Sequence, residues 1–399
     1  MGRNQAEDSV TSREVCDALL RKRPAERVGL FEHGAWPETM AAWVQQGYPT
    51  RRVHKQAGEQ RWSPVDGRSV PVEKEGDYPE PVPLWQRFGY DMVCTGGWFD
   101  VLPLRGCHEV IEETDEWEVY RNGAGAALKF WKHQCGTPGP VEYRMASRAI
   151  WERDYRPHLL SLDPARIAAA DERRSLQEAR DAQAWAFFGN QFIWENMRAS
   201  LGDEAMYENL LLDPAWILDY GRVYTDFYRK HFAWMFEHVG MPDGIWIYED
   251  LGYNCGLQAS PQVLGELIFP YYQELVAFFH RHDLPVILHT DGWIADAIPL
   301  IIAAGFDGLN PIERKVPAND PFRYAEQYGD RLVFVGGLDE RVLETNDKAV
   351  IRREVAGYIE GMKARGARLL FATDHTIAPA VRYESYCYSI EVYREHMSY

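Results

Sequence analysis

The side chains best suited to chemistry stand at the ends of two apolar segments in the C-terminal third of the chain. Residues 286–292 read VILHTDG, an apolar run that ends in His289 and Asp291. Alternate side chains of an extended strand point to the same face, so this imidazole and this carboxylate are expected to lie side by side. Residues 368–375 read RLLFATDH and end in Asp374 and His375. Nitrogen and oxygen donors of this kind suit a metal ion or an acid–base pair.

Polar residues follow other apolar segments in the same way. They are Glu32 and His33, Asn190, Glu249 and Asp250, Asn310 and Glu313, and Asp339. Parallel strands bring their carboxyl ends to one rim of a barrel, where active sites are built, so this set indicates an active site. Alternation lets only one of Glu249 and Asp250 face inward, and the sequence leaves open which one does.

Apolar and helical segments alternate from residue 27 onward, and eight of the apolar segments are strand candidates. These lie at 27–34, 88–95, 184–190, 244–250, 285–292, 306–312, 331–339 and 368–375. Their near-continuous apolar sequences are typical of parallel strands buried on both faces. Eight repeated strand–helix units predict an α/β fold, a (β/α)₈ TIM barrel.

The barrel is expected to form a single domain over residues 27–399, behind an N-terminal helical and loop extension at 1–26. Residues 50–85 are rich in proline, glycine and charge, and they predict a long surface excursion. Residues 107–135 surround Asn122-Gly123 with alternating stretches, so they predict a β-hairpin insertion.

Composition limits the classes of function. The 399 residues are 46% hydrophobic and 26% charged, enough apolar mass for a large core. A net charge of −17 disfavours binding to nucleic acid and to anionic membranes. The six cysteines form no CxxC pair, which speaks against a zinc ribbon or a thioredoxin motif. A polar start and the lack of a long apolar run predict no signal peptide or membrane span, and hence a cytoplasmic protein.

The order of several motifs resembles the uroporphyrinogen decarboxylase superfamily, in its divergent branch closer to the corrinoid-linked zinc methyltransferases. With HTDG, the motifs are IYEDLG (247–252), ASPQVLGELIFPYYQEL (259–275), GFDGLNPIE (305–313), VGGLDERVL (335–343) and TDHTIAP (373–379). The resemblance implies a (β/α)₈ barrel that often forms homodimers. It implies one of two chemistries: decarboxylation of uroporphyrinogen without a cofactor, or zinc-dependent methyl transfer with a corrinoid protein.

The N-terminal residues favour the second chemistry. The decarboxylases resemble one another in an arginine-bearing N-terminal segment, because arginines clamp the carboxylates of their polyanionic substrate. The corresponding segment here, GLFEHGAWPETMAAW (29–43), has no arginine and contains Glu32 and Glu38. An acidic, aromatic mouth of this kind is expected to repel a polyanion.

The resemblance also implies a set of metal ligands, but two of the residues at these positions differ from the family's pattern. The corrinoid-linked methyltransferases carry a His-x-Cys-Gly pattern and a later cysteine. His289 matches the histidine, Asp291 stands in place of the first cysteine, His375 stands in place of the second, and Glu249 is a further candidate ligand. Nitrogen and oxygen donors make a harder site than thiolates, but they still suit Zn²⁺ with one position open. Such an ion would polarise an ether or hydroxyl oxygen as a Lewis acid.

The sequence therefore predicts a metal-dependent methyltransferase of the O-demethylase type. It would move a methyl group between a small methoxylated or hydroxylated substrate and a corrinoid (methylcobalamin) carried by a partner protein. Proton transfer is assigned to a group of rim residues: His33, Glu32, Asp250, Asp339 and Asp374. Substrate contacts are assigned to Trp36, Trp98, Phe99, Asn190, Trp194, Tyr248, Tyr253, Asn310 and Glu313. The alternatives are a uroporphyrinogen decarboxylase-like enzyme and a non-catalytic barrel that binds a corrinoid or an aromatic ligand.

Overall fold

A computed structural model of the chain describes residues 10–133 and 136–399. The start of the predicted N-terminal extension and Cys135, at the end of the predicted hairpin insertion, lie outside the described residues. The predicted first helix begins with a capping box, in which Thr11 and Glu14 exchange hydrogen bonds between side chain and backbone.

The described strands and helices alternate along most of the chain. The strands are β1 (Gly29–Leu30), β2 (Thr50–Lys55), β3 (Gln60–Trp62), β4 (Ser69–Pro71), β5 (Gly76–Pro81), β6 (Met92–Gly96), β7 (His108–Glu113), β8 (Trp117–Asn122), β9 (Ala126–Trp131), β10 (Gly139–Tyr143), β11 (Trp185–Gln191), β12 (Gly244–Tyr248), β13 (Gly252–Tyr253), β14 (Gly256–Leu257), β15 (Val286–His289), β16 (Gly308–Asn310), β17 (Val333–Val335) and β18 (Leu369–Phe371). The helices are α1 (Ser12–Leu20), α2 (Pro37–Gln45), α3 (Leu84–Phe88), α4 (Arg148–Ile150), α5 (Ala169–Asp181), α6 (Ile193–Leu201), α7 (Asp203–Leu212), α8 (Pro214–His238), α9 (Pro261–Leu267), α10 (Phe269–Arg281), α11 (Ile298–Ala304), α12 (Pro321–Tyr328), α13 (Arg341–Glu344), α14 (Lys348–Ala364) and α15 (Tyr383–His396).

One eight-stranded sheet carries the fold, in the order β1, β18, β17, β16, β15, β12, β11, β6. Each of its strands corresponds to one of the eight strand candidates in the sequence. All or nearly all residues of β11, β12, β15, β16, β17 and β18 are buried, as expected for parallel strands covered on both faces. The predicted α/β fold of the TIM-barrel type is therefore confirmed.

The chain divides into two compact units. The first takes in residues up to Val93, 177–186 and 320–399, and the second takes in 94–176 and 187–319. In the first unit, β18 pairs in parallel with both β1 and β17. In the second unit, β11, β12, β15 and β16 pair in parallel, with Tyr248 opposite His289 and His289 opposite Asn310. The predicted single domain over 27–399 stays a prediction.

The two insertions contain more regular structure than their sequences indicated. Residues 50–85, predicted as a surface excursion, contain the antiparallel pairs β2–β5 and β3–β4 and the start of α3. The predicted hairpin is present as β8 and β9, and it forms the centre of a four-stranded sheet in the order β10, β9, β8, β7. β7 lies at the edge of this sheet with all six residues exposed, and its register against β8 shifts between Val110 and Glu112.

Two further features concern helices. Helices α9 and α10 are separated by a break at Ile268, two residues before Pro270. The C-terminal helix α15 had no counterpart in the sequence prediction. Within residues 10–133 and 136–399, no helix combines the length and the apolar character that a membrane crossing requires.

Candidate functional site

Three side chains of the second unit converge at the carboxyl ends of β12 and β15. The Nε2 atom of His289 lies 3.8 Å from Asp250 Oδ1 and 3.7 Å from Asp291 Oδ2. One ligand atom from each of the three residues lies within 4.8 Å of the others. All three residues are half-buried. The predicted pairing of His289 with Asp291 is present, and Asp250 completes a group of three that we call the Asp-His-Asp cluster.

Asn310 fixes the ring of His289. The Nδ1–H group of His289 donates a hydrogen bond of 2.6 Å to Asn310 Oδ1, so Nε2 is the nitrogen that faces the carboxylates. Histidine ligands of metals are commonly held in this way by an acceptor on the other ring nitrogen. Asn310, predicted as a substrate contact, therefore also orients a candidate ligand.

The electrostatics of the cluster strongly favour positive charge. Burial lowers the pKa of His289, but the carboxylates of Asp291 and Asp250 and the bond to Asn310 outweigh burial and raise the pKa to about 9. Two states fit this geometry: a protonated imidazole between two carboxylates, or a divalent cation in place of the proton. Because a metal must displace that proton, its affinity is expected to rise with pH.

The donor set fits a divalent ion. Ligands at about 2.0–2.1 Å from a tetrahedral zinc lie roughly 3.3–3.4 Å apart, close to the two distances from His289 Nε2 given above. The carboxylate of Asp250 is oriented by the backbone N–H of Asp291, which donates to Asp250 Oδ1 at 3.1 Å. One imidazole and two carboxylates also neutralise a divalent cation, so this group of residues suits Zn²⁺.

Glu249 turns away from the cluster and holds a helix instead. Its carboxylate receives the backbone N–H groups of Trp194 (3.0 Å) and Glu195 (2.7 Å), at the start of α6, and the hydroxyl of Tyr272 (2.7 Å). Glu249 is fully buried. Burial raises its pKa to about 8, although these three hydrogen bonds lower it. A carboxylate at the first turn of a helix satisfies backbone donors that would otherwise lack a partner.

The remaining predicted catalytic residues lie in the first unit. Glu32 is buried, and its pKa is raised to about 8. Burial is the main cause and the charge of Glu340 contributes, while hydrogen bonds from Thr373 lower the pKa. Asp374 is also buried and accepts the backbone N–H of Glu340 at 2.9 Å. Sequence reasoning did not single out Glu340, which directly follows the predicted Asp339. These carboxyl groups form a buried acidic set at the ends of β1, β17 and β18.

Three other residues of the first unit have identifiable local partners. His375, predicted as a metal ligand, accepts the backbone N–H of Thr376 at Nδ1 (2.9 Å), so Nε2 is the nitrogen that this bond leaves available. His33 packs edge-on against Phe31, with ring centroids 5.2 Å apart. Asp339 receives two side-chain hydrogen bonds from Arg341, at 2.8 and 2.7 Å. Trp36, the remaining predicted residue of this unit, is half-buried and precedes α2.

The predicted aromatic contacts separate into core and exposed residues. Trp194 and Phe99 are buried, and Phe99 packs against His231 and Phe232. Trp98 is 50% exposed, and its ring centroid lies 4.9 Å from that of Tyr248. The ring centroid of Tyr248 lies 5.2 Å from that of His289, so Tyr248 adjoins the Asp-His-Asp cluster and Trp98 is its next neighbour.

The other predicted contacts serve backbone positions or another cavity. Asn190 donates to the carbonyl oxygens of Gly97 and Phe99, and Glu313 accepts the backbone N–H of Gly292 at 2.7 Å. Tyr253 is largely exposed and lines a separate cavity of about 470 Å³. These contacts explain why polar residues at strand ends need not all face a substrate.

Glu172 is a buried carboxyl group that the sequence did not indicate. It lies in α5, far along the chain from the strand ends, and its Oε1 accepts the backbone N–H of Gly97 at 3.3 Å. Among the described residues, Oε2 has no hydrogen-bond partner. Burial raises the pKa of Glu172 to about 7. The hydrogen bond from Gly97 lowers the pKa, but by less than burial raises it. No pattern in the charged sequence of α5 distinguishes this residue from its exposed neighbours.

This raised pKa predicts a pH dependence of stability. The folded state holds the proton of Glu172 more tightly than the unfolded chain, so its contribution is complete below about pH 4.5 and is lost as the pH rises through about 7. Between pH 4.5 and 8, the free energy of unfolding should fall by roughly 3 kcal/mol more for the wild type than for Glu172→Gln. Urea unfolding of both proteins at both pH values measures this difference. The other titrating groups contribute equally to both proteins, so their contributions cancel in the comparison. Equal pH dependence would contradict the prediction.

Comparisons with known proteins agree with the resemblance seen in the sequence. Residues 248–396 match the family model for uroporphyrinogen decarboxylase (URO-D). This match confirms the resemblance to that superfamily over the segment that contains the Asp-His-Asp cluster. No curated protein matches the chain.

A solved structure shows the same fold over nearly the whole chain. A methyltransferase from Methanosarcina mazei superposes with a TM-score of 0.60 at 15% sequence identity, covering 97% of this chain and 99% of that chain. A Xaa-Pro dipeptidase with bound methionine (14% identity, 56% of each chain) has a TM-score of only 0.30. A xylose isomerase domain protein from Alicyclobacillus acidocaldarius (13% identity, 60% of this chain and 94% of that chain) has a TM-score of 0.29.

Proposed function

We propose that this chain is a metal-dependent methyltransferase that moves a methyl group between a small methoxylated or hydroxylated substrate and a corrinoid. The observation that carries the proposal is the Asp-His-Asp cluster, in which three donor atoms from separate positions lie within 4.8 Å of one another. The cluster lies at the carboxyl ends of parallel strands, where enzymes of this fold place their chemistry. The likeness to a methyltransferase structure over nearly the whole chain supports it.

In this proposal, Asp250, His289 and Asp291 hold Zn²⁺ and leave a position open for the substrate. The ion would act as a Lewis acid on the oxygen that bears the methyl group. Asn310 keeps the Nδ1 proton on His289, so that Nε2 presents its lone pair to the ion. Asp250, which the sequence analysis assigned to proton transfer, acts as a ligand in this proposal because its Oδ1 atom lies 3.8 Å from His289 Nε2.

Other residues keep the roles proposed from the sequence, with one change. His375 remains a candidate ligand through Nε2, and Glu32, His33, Asp339 and Asp374 remain candidates for proton transfer. Glu32 is suited to that role because its pKa of about 8 lets it hold or release a proton near neutral pH. Glu249 is reassigned from metal ligand to helix support, since its two oxygens already accept three hydrogen bonds.

The corrinoid is proposed to reside on a partner protein, and the chain is proposed to act as a homodimer in the cytoplasm. Decarboxylation is the second candidate because the matching family model is that of uroporphyrinogen decarboxylase. The lack of arginine in residues 29–43 argues against that substrate, whose carboxylates require cationic partners.

Metal analysis combined with an activity assay tests the proposal. The protein, dialysed against zinc and then freed of loosely bound ions, should retain about one zinc per chain. With reduced cobalamin under anaerobic conditions, it should form methylcobalamin from methanol or from a methoxylated aromatic compound, and chelation of the metal should abolish this. Decarboxylation of uroporphyrinogen by metal-free protein would favour the second candidate. Absence of metal and of both activities would favour a ligand-binding protein.

A further inference from the structure

A run of three rings leads from the protein surface to the Asp-His-Asp cluster. Trp98 lies beside Tyr248, at 4.9 Å between ring centroids and 43° between ring planes. Tyr248 lies beside His289 in almost the same relation, at 5.2 Å and 45°. Trp98 forms the open end of the run and His289 forms the end at the cluster. We call Trp98 and Tyr248 the aromatic platform.

The exposure of Trp98 calls for a physical reason. Half of this large side chain faces solvent, although its neighbours Gly97 and Phe99 are buried. The exposed part of an aromatic side chain forgoes the free energy that its burial would provide. A planar ligand that covers the indole would recover part of this free energy and would add favourable ring–ring interactions.

The backbone that carries Trp98 is fixed on both sides. Asn190 donates to the carbonyl oxygen of Gly97 at 2.6 Å and to that of Phe99 at 3.3 Å. On the other side, the backbone N–H of Gly97 donates to Glu172 Oε1 at 3.3 Å. The ring of Phe99 is anchored among the aromatic side chains of α8. The backbone next to the indole is thus held by hydrogen bonds on both sides, which reduces the entropy that the loop loses when a ligand binds.

Two glycines allow the loop to approach the sheet. Gly97 has a φ angle of +89°, and a Cβ atom there would lie 2.7 Å from the backbone nitrogen of Gly189. A Cβ atom on Gly189 would in turn lie 3.0 Å from the ring of Tyr248. Side chains at either position would therefore displace the loop or the ring. The close packing of backbone against backbone is what brings Trp98 beside Tyr248.

We propose that the aromatic platform binds the ring of an aryl methyl ether whose ether oxygen reaches the Asp-His-Asp cluster. The inference rests on the proposed methyl transfer and specifies its substrate class. The ring stacks on Trp98 and Tyr248, and its oxygen substituent points along the run of rings toward His289. Glu172 and Asn190 hold the backbone on either side of Trp98.

The test separates ring binding from methyl transfer. Calorimetry on the zinc-loaded protein measures the binding of catechol, an aromatic ring with oxygen substituents but no methyl group to transfer, and of cyclohexanol, which has no aromatic ring. Catechol should bind the wild type and bind Trp98→Ala about tenfold more weakly. Trp98→Phe should retain most of the affinity. The matched control is Trp131→Ala, which removes a tryptophan of similar exposure from the end of β9 and should leave the affinity unchanged.

Each outcome bears on one proposal. Catechol affinity that is unchanged in Trp98→Ala, or cyclohexanol binding as tight as catechol binding, would overturn the platform. Methyl transfer from methanol but not from guaiacol would also overturn the proposal for the aromatic platform. It would still support the proposal that the chain is a methyltransferase. Catechol binding that depends on Trp98, without methyl transfer from any donor, would support the platform and overturn the methyltransferase. In Trp98→Ala, the KM for guaiacol should rise about tenfold while the KM for methanol stays unchanged.

Discussion

Replacement of His289 by alanine should abolish both metal binding and methyl transfer. The imidazole supplies the nitrogen donor of the Asp-His-Asp cluster, and its removal leaves two carboxylates without a geometry that retains zinc. Lewis-acid stabilisation is worth several kcal/mol, so methyl transfer should fall by at least about a thousandfold. Zinc content after equilibrium dialysis, followed by the methylcobalamin assay, measures both effects.

His280→Ala is the matched control for this experiment. His280 also contacts a carboxylate, with Nε2 2.8 Å from Asp307 Oδ2, but it lies outside the cluster. This variant should keep the zinc content and the activity of the wild type. If His289→Ala kept one zinc per chain, the cluster would not be the metal site. The protonated imidazole between two carboxylates would then be the better description.

Replacement of Glu249 by alanine should destabilise the protein without loss of metal. Three donors would lose their acceptor: the backbone N–H groups of Trp194 and Glu195 and the hydroxyl of Tyr272. Since each unsatisfied buried group costs about 1–3 kcal/mol, the free energy of unfolding should fall by about 3 kcal/mol or more. Urea unfolding at pH 7 measures the change, and zinc content should equal that of the wild type.

Two variants calibrate this result. Glu249→Gln keeps one oxygen acceptor and should lose less stability than Glu249→Ala. Glu266→Ala removes an exposed carboxylate of α9 and should change the free energy of unfolding by no more than about 0.5 kcal/mol. A Glu249→Ala protein of normal stability that had lost its zinc would restore Glu249 as a ligand, as first predicted from the sequence.

The sequence predicted the sheet well because its eight strands are apolar over most of their length. It also predicted the meeting of His289 and Asp291. It did not decide which of Glu249 and Asp250 faces inward, and the local geometry shows why. β12 ends at Tyr248, so strand alternation no longer applies to the next two residues. Glu249 turns to the start of α6, while Asp250 is drawn beside His289 by the backbone N–H of Asp291.

Features that depend on distant parts of the chain were not predictable. Glu172 meets Gly97 across 75 positions of sequence, and its helix shows only ordinary charged residues. Trp98 is exposed and Phe99 is buried, although they are adjacent aromatic residues in one loop. Tertiary contacts decide this difference, so the sequence could not predict it. Residues 50–85 appeared irregular because prolines, glycines and charges interrupt strands that form short antiparallel pairs.

The edge strand β7 has a consequence for self-association. An open edge with free backbone groups usually invites strands of other molecules, and the exposed Val110 and Ile111 add to that risk. Here three acidic residues lie on the same edge: Glu109 and Glu113, which pair with Arg121 and Lys132, and Glu112. The register shift also distorts the edge. A second β7 approaching this edge would meet like charge and a poor hydrogen-bonding template. The edge of β7 is therefore a poor starting point for the growth of cross-β polymers.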